Sequence, residues 1–542
     1  MTTFLHQFIE QSAQRKPNAT ALHFKSTQVN YHQLNEQLTK VAKGYLAISV
    51  KRFDRIGVYL NKTIETVTSL FSASVVGGVF VPINPVLKAQ QVNHIVNDCD
   101  IKVLITNKGR LKGLIDNLAN MPSLYHIVLV DGKSDDESNT DKIQIICWST
   151  FISKGESQTI HTGPQTGNDM AAILYTSGST GKPKGVVLSH TNMVEGAKSV
   201  ATYLENTHED VILAVLPLSF DYGLSQLTTC FYVGASCVLL DYLLPNDVLK
   251  TINKYKVTGL AAVPPLYSQL CALNWQPDSG QSIRYFTNSG GALTQANLTK
   301  LRGLMPNAEP YLMYGLTEAF RSTYLLPTEI DNRVGSMGKA IPNAEVIVAR
   351  PDGSECDVDE PGELVHMGPL VSLGYWNAPE KTAERFKPAP TKPDGIMIEE
   401  MAVWSGDSVK RDKDGYLYFV ARSDEMIKTS GYRISPMEVE EVLYQHESIS
   451  EGAVIGVSHP ELGQAIVAFV LLTNTIQGSS HESGAKTESN DYNVKSIAKH
   501  CMKELANYMV PKDIIVLETM PHNANGKIDR APLNKTYQRL YQ

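Results

Sequence analysis

Leu174-Tyr-Thr-Ser-Gly-Ser-Thr-Gly-Lys-Pro-Lys-Gly185 gathers four Ser/Thr hydroxyls, three glycines and two lysines into one short run. Glycines let backbone N–H groups come close to an anion, hydroxyls add donors and lysines add charge, so the run reads as a grip for phosphate. It is not the common nucleotide loop. That loop needs a Gly five residues before the Gly of its Gly-Lys pair, where Thr176 stands, and Ser or Thr after the Lys, where Pro183 stands. Pro183 also lacks a backbone donor, which argues against a cradle at a helix N-terminus and for a loop closing over a polyphosphate.

Outward from the loop, residues 171–174 and 186–188 are apolar, the pattern of buried strands bracketing a constrained turn. Val-, Ile- and Leu-rich runs recur at 55–60, 79–83, 102–106, 126–130, 211–216, 236–240, 259–263 and 284–287, alternating with amphipathic helical patterns. Continuous apolar strands between helices predict an α/β fold with a parallel sheet covered on both faces. After Asn343 the texture changes to short strands at 345–349, 362–366 and 415–420, which predicts a small β-barrel or meander. Beyond Arg422, helices at 436–443 and 494–507 and strands at 451–457 and 464–471 predict a small α+β unit of about 120 residues. The expected domains are therefore 1–421 and 422–542. Residues 476–492 are polar and low in complexity, and read as a loop.

Composition bounds the function. The 542 residues exceed what one hydrophobic core supports, and 42% apolar with 19% charged residues is ordinary for a globular protein. A formal charge of -7 argues against a nucleic-acid or acidic-membrane binder. The start lacks the basic and apolar regions of a signal peptide, and the most apolar stretch, 231–244, is broken by Gly234, Ser236 and Asp241. No integral membrane segment is expected. The seven cysteines are scattered and never spaced Cys-x-x-Cys, which suggests buried thiols in a reducing, cytoplasmic setting, and no zinc spacing is present.

Five further clusters are rich in functional residue types: Asn288-Ser-Gly-Gly-Ala-Leu293, Tyr314-Gly-Leu-Thr-Glu318, Trp404-Ser-Gly-Asp407, Arg422-Ser-Asp-Glu-Met-Ile-Lys-Thr-Ser-Gly-Tyr-Arg-Ile434 and Asn525-Gly-Lys-Ile-Asp-Arg530. Paired glycines allow a flat ring to lie on backbone, and a turn carboxylate suits a ribose diol. Each is weak alone. Their order and spacing, from about residue 5 to 535, resemble the adenylate-forming (ANL) superfamily of acyl-CoA synthetases, carrier-protein-loading adenylation domains and luciferases. Leu218-Ser-Phe-Asp-Tyr-Gly-Leu-Ser-Gln226 and Met313-Tyr-Gly-Leu-Thr-Glu-Ala-Phe-Arg-Ser322 are most similar to AMP-forming ligases associated with exosortase A gene clusters and to stand-alone enzymes that load an amino acid on a carrier protein.

The resemblance implies a reaction in two steps. A carboxylate attacks the α-phosphate of ATP, giving an acyl-adenylate and pyrophosphate; a thiol, of CoA or of a phosphopantetheinyl arm, then displaces AMP. It places the β- and γ-phosphates on Thr176, Ser177, Gly178, Ser179, Thr180 and Lys184, the α-phosphate on Thr317 and Mg²⁺ on Glu318. Adenine would lie between Gly290, Gly291 and Ala292 on one side and Tyr314, followed by Gly315, on the other. Asp407 would bind the ribose with help from Arg422. Lys527 would meet the attacking carboxylate and the α-phosphate. Asp424 would be the hinge of a mobile C-terminal lid, and Gly431 would line the thiol tunnel presented after its rotation. Two departures are visible: Ser405 stands for the usual Thr, and Ala421 for the usual Gly.

For the acid, the resemblance points to Asp221, Tyr222, Ser225, Val263, Asn288, Met313, Arg321 and Ser322 as the pocket wall. Phe220-Asp221 matches the pair with which amino-acid-activating relatives bind an ammonium. A buried aspartate needs a cationic partner, and that partner is either the substrate's ammonium or an internal one such as Arg321. Arg321 could also meet a second carboxylate. The expected substrate is an amino acid or small polar acid, with a medium or aryl acid as the alternative. The expected acceptor is CoA or a carrier protein supplied in trans, since residue 542 follows closely on the terminal lysine motif. A luciferase-like oxidoreductase and a non-catalytic nucleotide binder are the remote readings.

Overall fold

The computed structural model describes the chain except residues 1, 140–141, 162, 177–182, 393–394, 396, 398, 423–425, 430–431, 460–461, 474–484, 506, 508 and 542. Where the sequence predicts one covered parallel sheet, two are present. In the first, Arg55–Val58 runs parallel between Val79–Pro82 and Ile101–Thr106, and the sheet extends through His126–Leu129 and Gln144–Cys147. Met170–Thr176 joins its other side beside Val79–Pro82, and Lys184–Ser189 closes that side antiparallel.

The second sheet has a parallel centre of Ser236–Leu239, Val211–Ala214, Gly259–Ala262, Tyr285–Asn288 and Glu309–Tyr314. The N-terminal strand Thr20–Phe24, which the sequence reading passed over, adds to it beside Ser236–Leu239. The later strands form the meander rather than a closed barrel. From Glu309–Tyr314 the hydrogen-bonded path continues antiparallel through Thr323–Leu325, Ser336–Ala340, Leu417–Arg422, Met401–Arg411, Gly362–Met367 and Glu345–Ala349, and is open.

Helices fill the space between these sheets and begin where the sequence supplies caps. Asn30 and Gln33 form a reciprocal capping box before Tyr31–Ala47, and Ser189 with Asn192 does the same for His190–Tyr203. A continuous apolar core links the two sheets through these helices, and a second lies against the first sheet around Val81, Ile95, Leu104 and Ile127. The third sheet, Ile427–Thr429, Tyr432–Ile434, Ile449–His459, Gly463–Leu472 and Asp513–Val516, carries the helix Pro436–Tyr444 and two cores of its own, built from Ile427 onward. Among the described residues no helix is long and apolar enough to cross a membrane.

Candidate functional site

The strands flanking the glycine-rich run pair antiparallel, with Thr176 directly opposite Lys184. Leu174, Val186 and Leu188 are fully buried, so the mouth of the run is fixed on both sides. Ser177, Gly178, Ser179 and Thr180, like Asp424 and Gly431, lie outside the described residues. At the mouth, Thr176 Oγ1 is buried with no hydrogen-bond partner among the described residues. Lys184 Nζ donates to Tyr375 Oη at 2.6 Å and lies 3.2 Å from Glu318 Oε1, while Tyr375 Oη donates to the same carboxylate oxygen at 2.6 Å.

Burial alone would raise the pKa of Glu318; the Lys184 ammonium and the Tyr375 hydroxyl outweigh it and hold the carboxyl below its usual range. Burial lowers Lys184 in spite of Glu318. Tyr375 went unnoticed in the sequence. Its place comes from backbone pairing, because Leu373 N donates to Val187 O, Val187 N to Gly374 O and Trp376 N to Gly185 O. Only the Gly-Tyr-Trp run at 374–376 hints at it.

A second wall stands at the ends of Tyr285–Asn288 and Glu309–Tyr314. Asn288 Nδ2 donates to Gly291 O at 2.8 Å and draws the Gly290-Gly291-Ala292 loop over the sheet edge. Opposite, the Tyr314 hydroxyl donates to Asp407, whose strand register pairs it with Arg422. Gly315 must stay small, since a Cβ there would sit 3.0 Å from the backbone of Arg321. An aromatic face, a glycine loop and a carboxylate thus meet at one edge.

The third group surrounds Asp221, the first residue of the helix Asp221–Val233. Its Oδ1 accepts from Thr317 Oγ1 at 3.2 Å and its Oδ2 from Arg321 Nη1 at 2.8 Å. Asp221 is 4% exposed and Arg321 2%. The partner of Asp221 is therefore internal. Phe320, with φ of 59°, holds a conformation unfavourable for a bulky residue, and its carbonyl accepts from the same Nη1 at 2.8 Å. The guanidinium also lies 4.5 Å from the Tyr222 ring centre.

A narrow cavity beside it is lined by Tyr222, Ser225, Met313 and Arg321 of the expected pocket wall, together with Tyr203 and Thr229. Asn288, Val263 and Ser322 do not line it. Asn288 gives its Nδ2 to Gly291 while its buried Oδ1 has no partner among the described residues, Val263 faces the turn described next, and Ser322 Oγ is 3.0 Å from Nδ1 of His366, whose pKa burial lowers to about 4.

Lys527, 105 residues beyond Arg422, is brought to these walls. Its turn is braced by Asn523, whose N–H donates to Lys527 O at 2.8 Å and whose Oδ1 accepts from Asn525 N and Lys527 N. Asn84, also missed in the sequence, donates through Nδ2 to Ala524 O at 2.9 Å. Lys527 Nζ then lies 5.3 Å from the Phe220 ring centre, and its Cε is 2.7 Å from where a Cβ on Gly290 would be. Gly290 has φ of +82°, so the position wants glycine twice over. The lysine turn thus sits against the glycine loop at Gly290, the Phe220 ring and Val263. No group of three or more His, Cys, Asp or Glu that could hold a metal exists among the described residues.

A family model described as AMP-binding enzyme matches residues 9–376, and one described as AMP-binding enzyme C-terminal domain matches 438–527. The chain is 27% identical over 532 residues to bacitracin synthase 3 of Bacillus licheniformis, covering 98% of this chain and 8% of that protein. It thus spans less than a tenth of that synthase's length. It is 27% identical over 550 residues to a long-chain-fatty-acid–CoA ligase of Bacillus subtilis (strain 168), covering 98% of this chain and 94% of that one. The crystal structure of an anthranilate CoA ligase in complex with anthranoyl-AMP superimposes with a TM-score of 0.85 at 26% identity, covering 100% of this chain and 98% of that one.

Proposed function

We propose, from the premise that this chain belongs to the AMP-binding enzyme family, that it is an AMP-forming ligase joining a small polar carboxylic acid to a phosphopantetheine thiol. The observation that carries this reading is the seat of Lys527: a cation from beyond Arg422 stands against Gly290 and against Phe220, the residue before Asp221. Forming an acyl-adenylate brings two anions together, so the barrier falls only if positive charge is already placed between them.

The remaining residues fit that demand. Lys184 and Thr176 would hold the β- and γ-phosphates, with Lys184 exchanging Glu318 for phosphate oxygens. Glu318 is a partly exposed carboxylate held below its usual pKa range by Lys184 and Tyr375, a donor suited to Mg²⁺, which binds through one or two carboxylates plus substrate phosphates. When bound, that ion neutralises phosphate charge. Gly290 to Ala292 and Tyr314 would enclose the adenine, and Asp407, with Arg422 beside it in register, would take the ribose hydroxyls. The unit from 422 to 542 would act as the lid that delivers Lys527 and later withdraws it for the thiol, turning at Asp424 with Gly431 facing the tunnel; CoA and a carrier protein's arm offer the same thiol.

A second reading, an amino-acid substrate, has Phe220-Asp221 in its favour, but the ammonium would have to displace Arg321 from the carboxylate. The test is acid-dependent exchange of pyrophosphate into ATP over a panel of polar, aryl and amino acids. Lys527→Ala is expected to lower exchange by about 10²-fold or more, the scale of losing one preorganised charge. Undiminished exchange in that variant refutes the reading.

A further inference from the structure

Arg321 has five N–H donors, and the fold uses only two of them. Both belong to Nη1, one to Asp221 Oδ2 and one to Phe320 O, each at 2.8 Å. Nε and Nη2 carry the other three, and neither has an acceptor of good geometry among the described residues. The Tyr203 hydroxyl, which donates to Met313 Sδ at 3.1 Å, is within reach of the guanidinium and can take one of these three, which leaves at least two. Thr229 Oγ1, also buried, is likewise without a partner among the described residues. Arg321 and Thr229 line the same cavity. Buried donors are rarely left unmet, so this cavity is built to receive an acceptor.

Size and charge narrow the class. The cavity is narrow and takes a group of about the size of a water molecule. Asp221 already balances the charge of Arg321, so the pair attracts neither an ammonium nor a second full negative charge strongly. A neutral oxygen meets both conditions: it accepts from Nη2 or Nε, and a hydroxyl can also donate to Thr229 Oγ1. Resting on the ligase reading above, we infer that the acid activated by this chain carries a neutral oxygen function, a hydroxyl or carbonyl, on the part that enters this cavity, and that Arg321 selects it.

The experiment is pyrophosphate exchange by the full chain on matched sets of three- to eight-carbon and aryl acids, each as the parent, the hydroxy, the oxo, the amino and the dicarboxylic form. The hydroxy or oxo form of one set is expected to exceed its parent in kcat/KM by about 10- to 100-fold, the worth of one hydrogen bond to a charged group. Arg321→Lys keeps the charge opposite Asp221 but loses the fork, and should bring that ratio close to 1; Thr229→Val, which leaves the ion pair intact, should lower it several-fold even if Arg321→Lys does not fold. Parent and oxygenated acids turning over equally would overturn the inference, with the cavity holding only an ordered water, while leaving the ligase reading standing. So would a preference for amino or dicarboxylic forms. Exchange with no acid at all would remove the ligase reading and this inference with it.

Discussion

Replacing Asn84 by Asp separates the two half-reactions without touching a reacting group. Asn84 is 5% exposed and makes two hydrogen bonds: Oδ1 accepts from Val86 N at 3.1 Å, holding its own turn, and Nδ2 donates to Ala524 O at 2.9 Å, holding the lysine turn 440 residues away. Asn84→Asp keeps the first bond and turns the second into a carboxylate facing a carbonyl. Leaving such a buried pair unsatisfied costs about 1–3 kcal/mol, and the cost falls only on the state in which Lys527 is seated. At 1.36 kcal/mol per tenfold, adenylate formation should slow by about 5- to 150-fold. Transfer from presynthesised acyl-adenylate to the thiol, when the lid is expected to have turned away, should be within about twofold of wild type, and the melting temperature nearly unchanged. Pyrophosphate exchange measures the first step and thioester formation from added acyl-adenylate the second. Equal losses in both, or no loss in either, would refute the idea that Asn84 secures the seat of Lys527. Asn84→Ala is the less clean variant, because it also frees the turn at Val86.

Gly290→Ala tests the same seat from the opposite wall. The new methyl would lie 2.7 Å from Lys527 Cε on a residue with φ of +82°, so exchange should fall by at least about tenfold as the lysine is pushed aside, with a stability cost of about 1–2 kcal/mol for the strained backbone; wild-type exchange would contradict the placement of Lys527. Stability should fall on acidification. Burial lowers His6 to about 3 and His190 and His366 to about 4, so below the ordinary 6.5 the unfolded chain binds protons that the folded chain refuses. The loss should run from about pH 6.5 down to about 4 in urea titrations. His522, raised chiefly by its hydrogen bond to Glu451, works the other way and loses its contribution as pH rises through its folded value. A stability curve flat between pH 7 and 4 would contradict the burial of these imidazoles.

What could be read from the sequence was what local pattern encodes. The strands at 170–176 and 184–189 were legible because short apolar runs flank a run no strand could tolerate, and the Tyr314 and Asp407 pair was legible as two motifs, although not as a hydrogen bond. Tyr375 and Asn84 were not, because each acquires its place from a segment distant in sequence: Tyr375 by zipping onto 185–187, Asn84 by meeting Ala524. The division into two sheets was hidden for the same reason, since buried parallel strands look alike whichever sheet receives them.

Asp221 shows where motif reading stops. A Phe-Asp pair at the start of this helix presents a free carboxylate only if nothing cationic reaches it, and here Phe320 adopts a positive φ that accompanies Arg321's approach to the carboxylate. The dipeptide is unchanged while its charge toward a substrate is cancelled. On the proposed ligase reading, the Asp221–Arg321 pair acts on the substrate as a unit: an attraction for an ammonium becomes a set of donors, and the acid that best satisfies them is the one the pyrophosphate-exchange panel should favour.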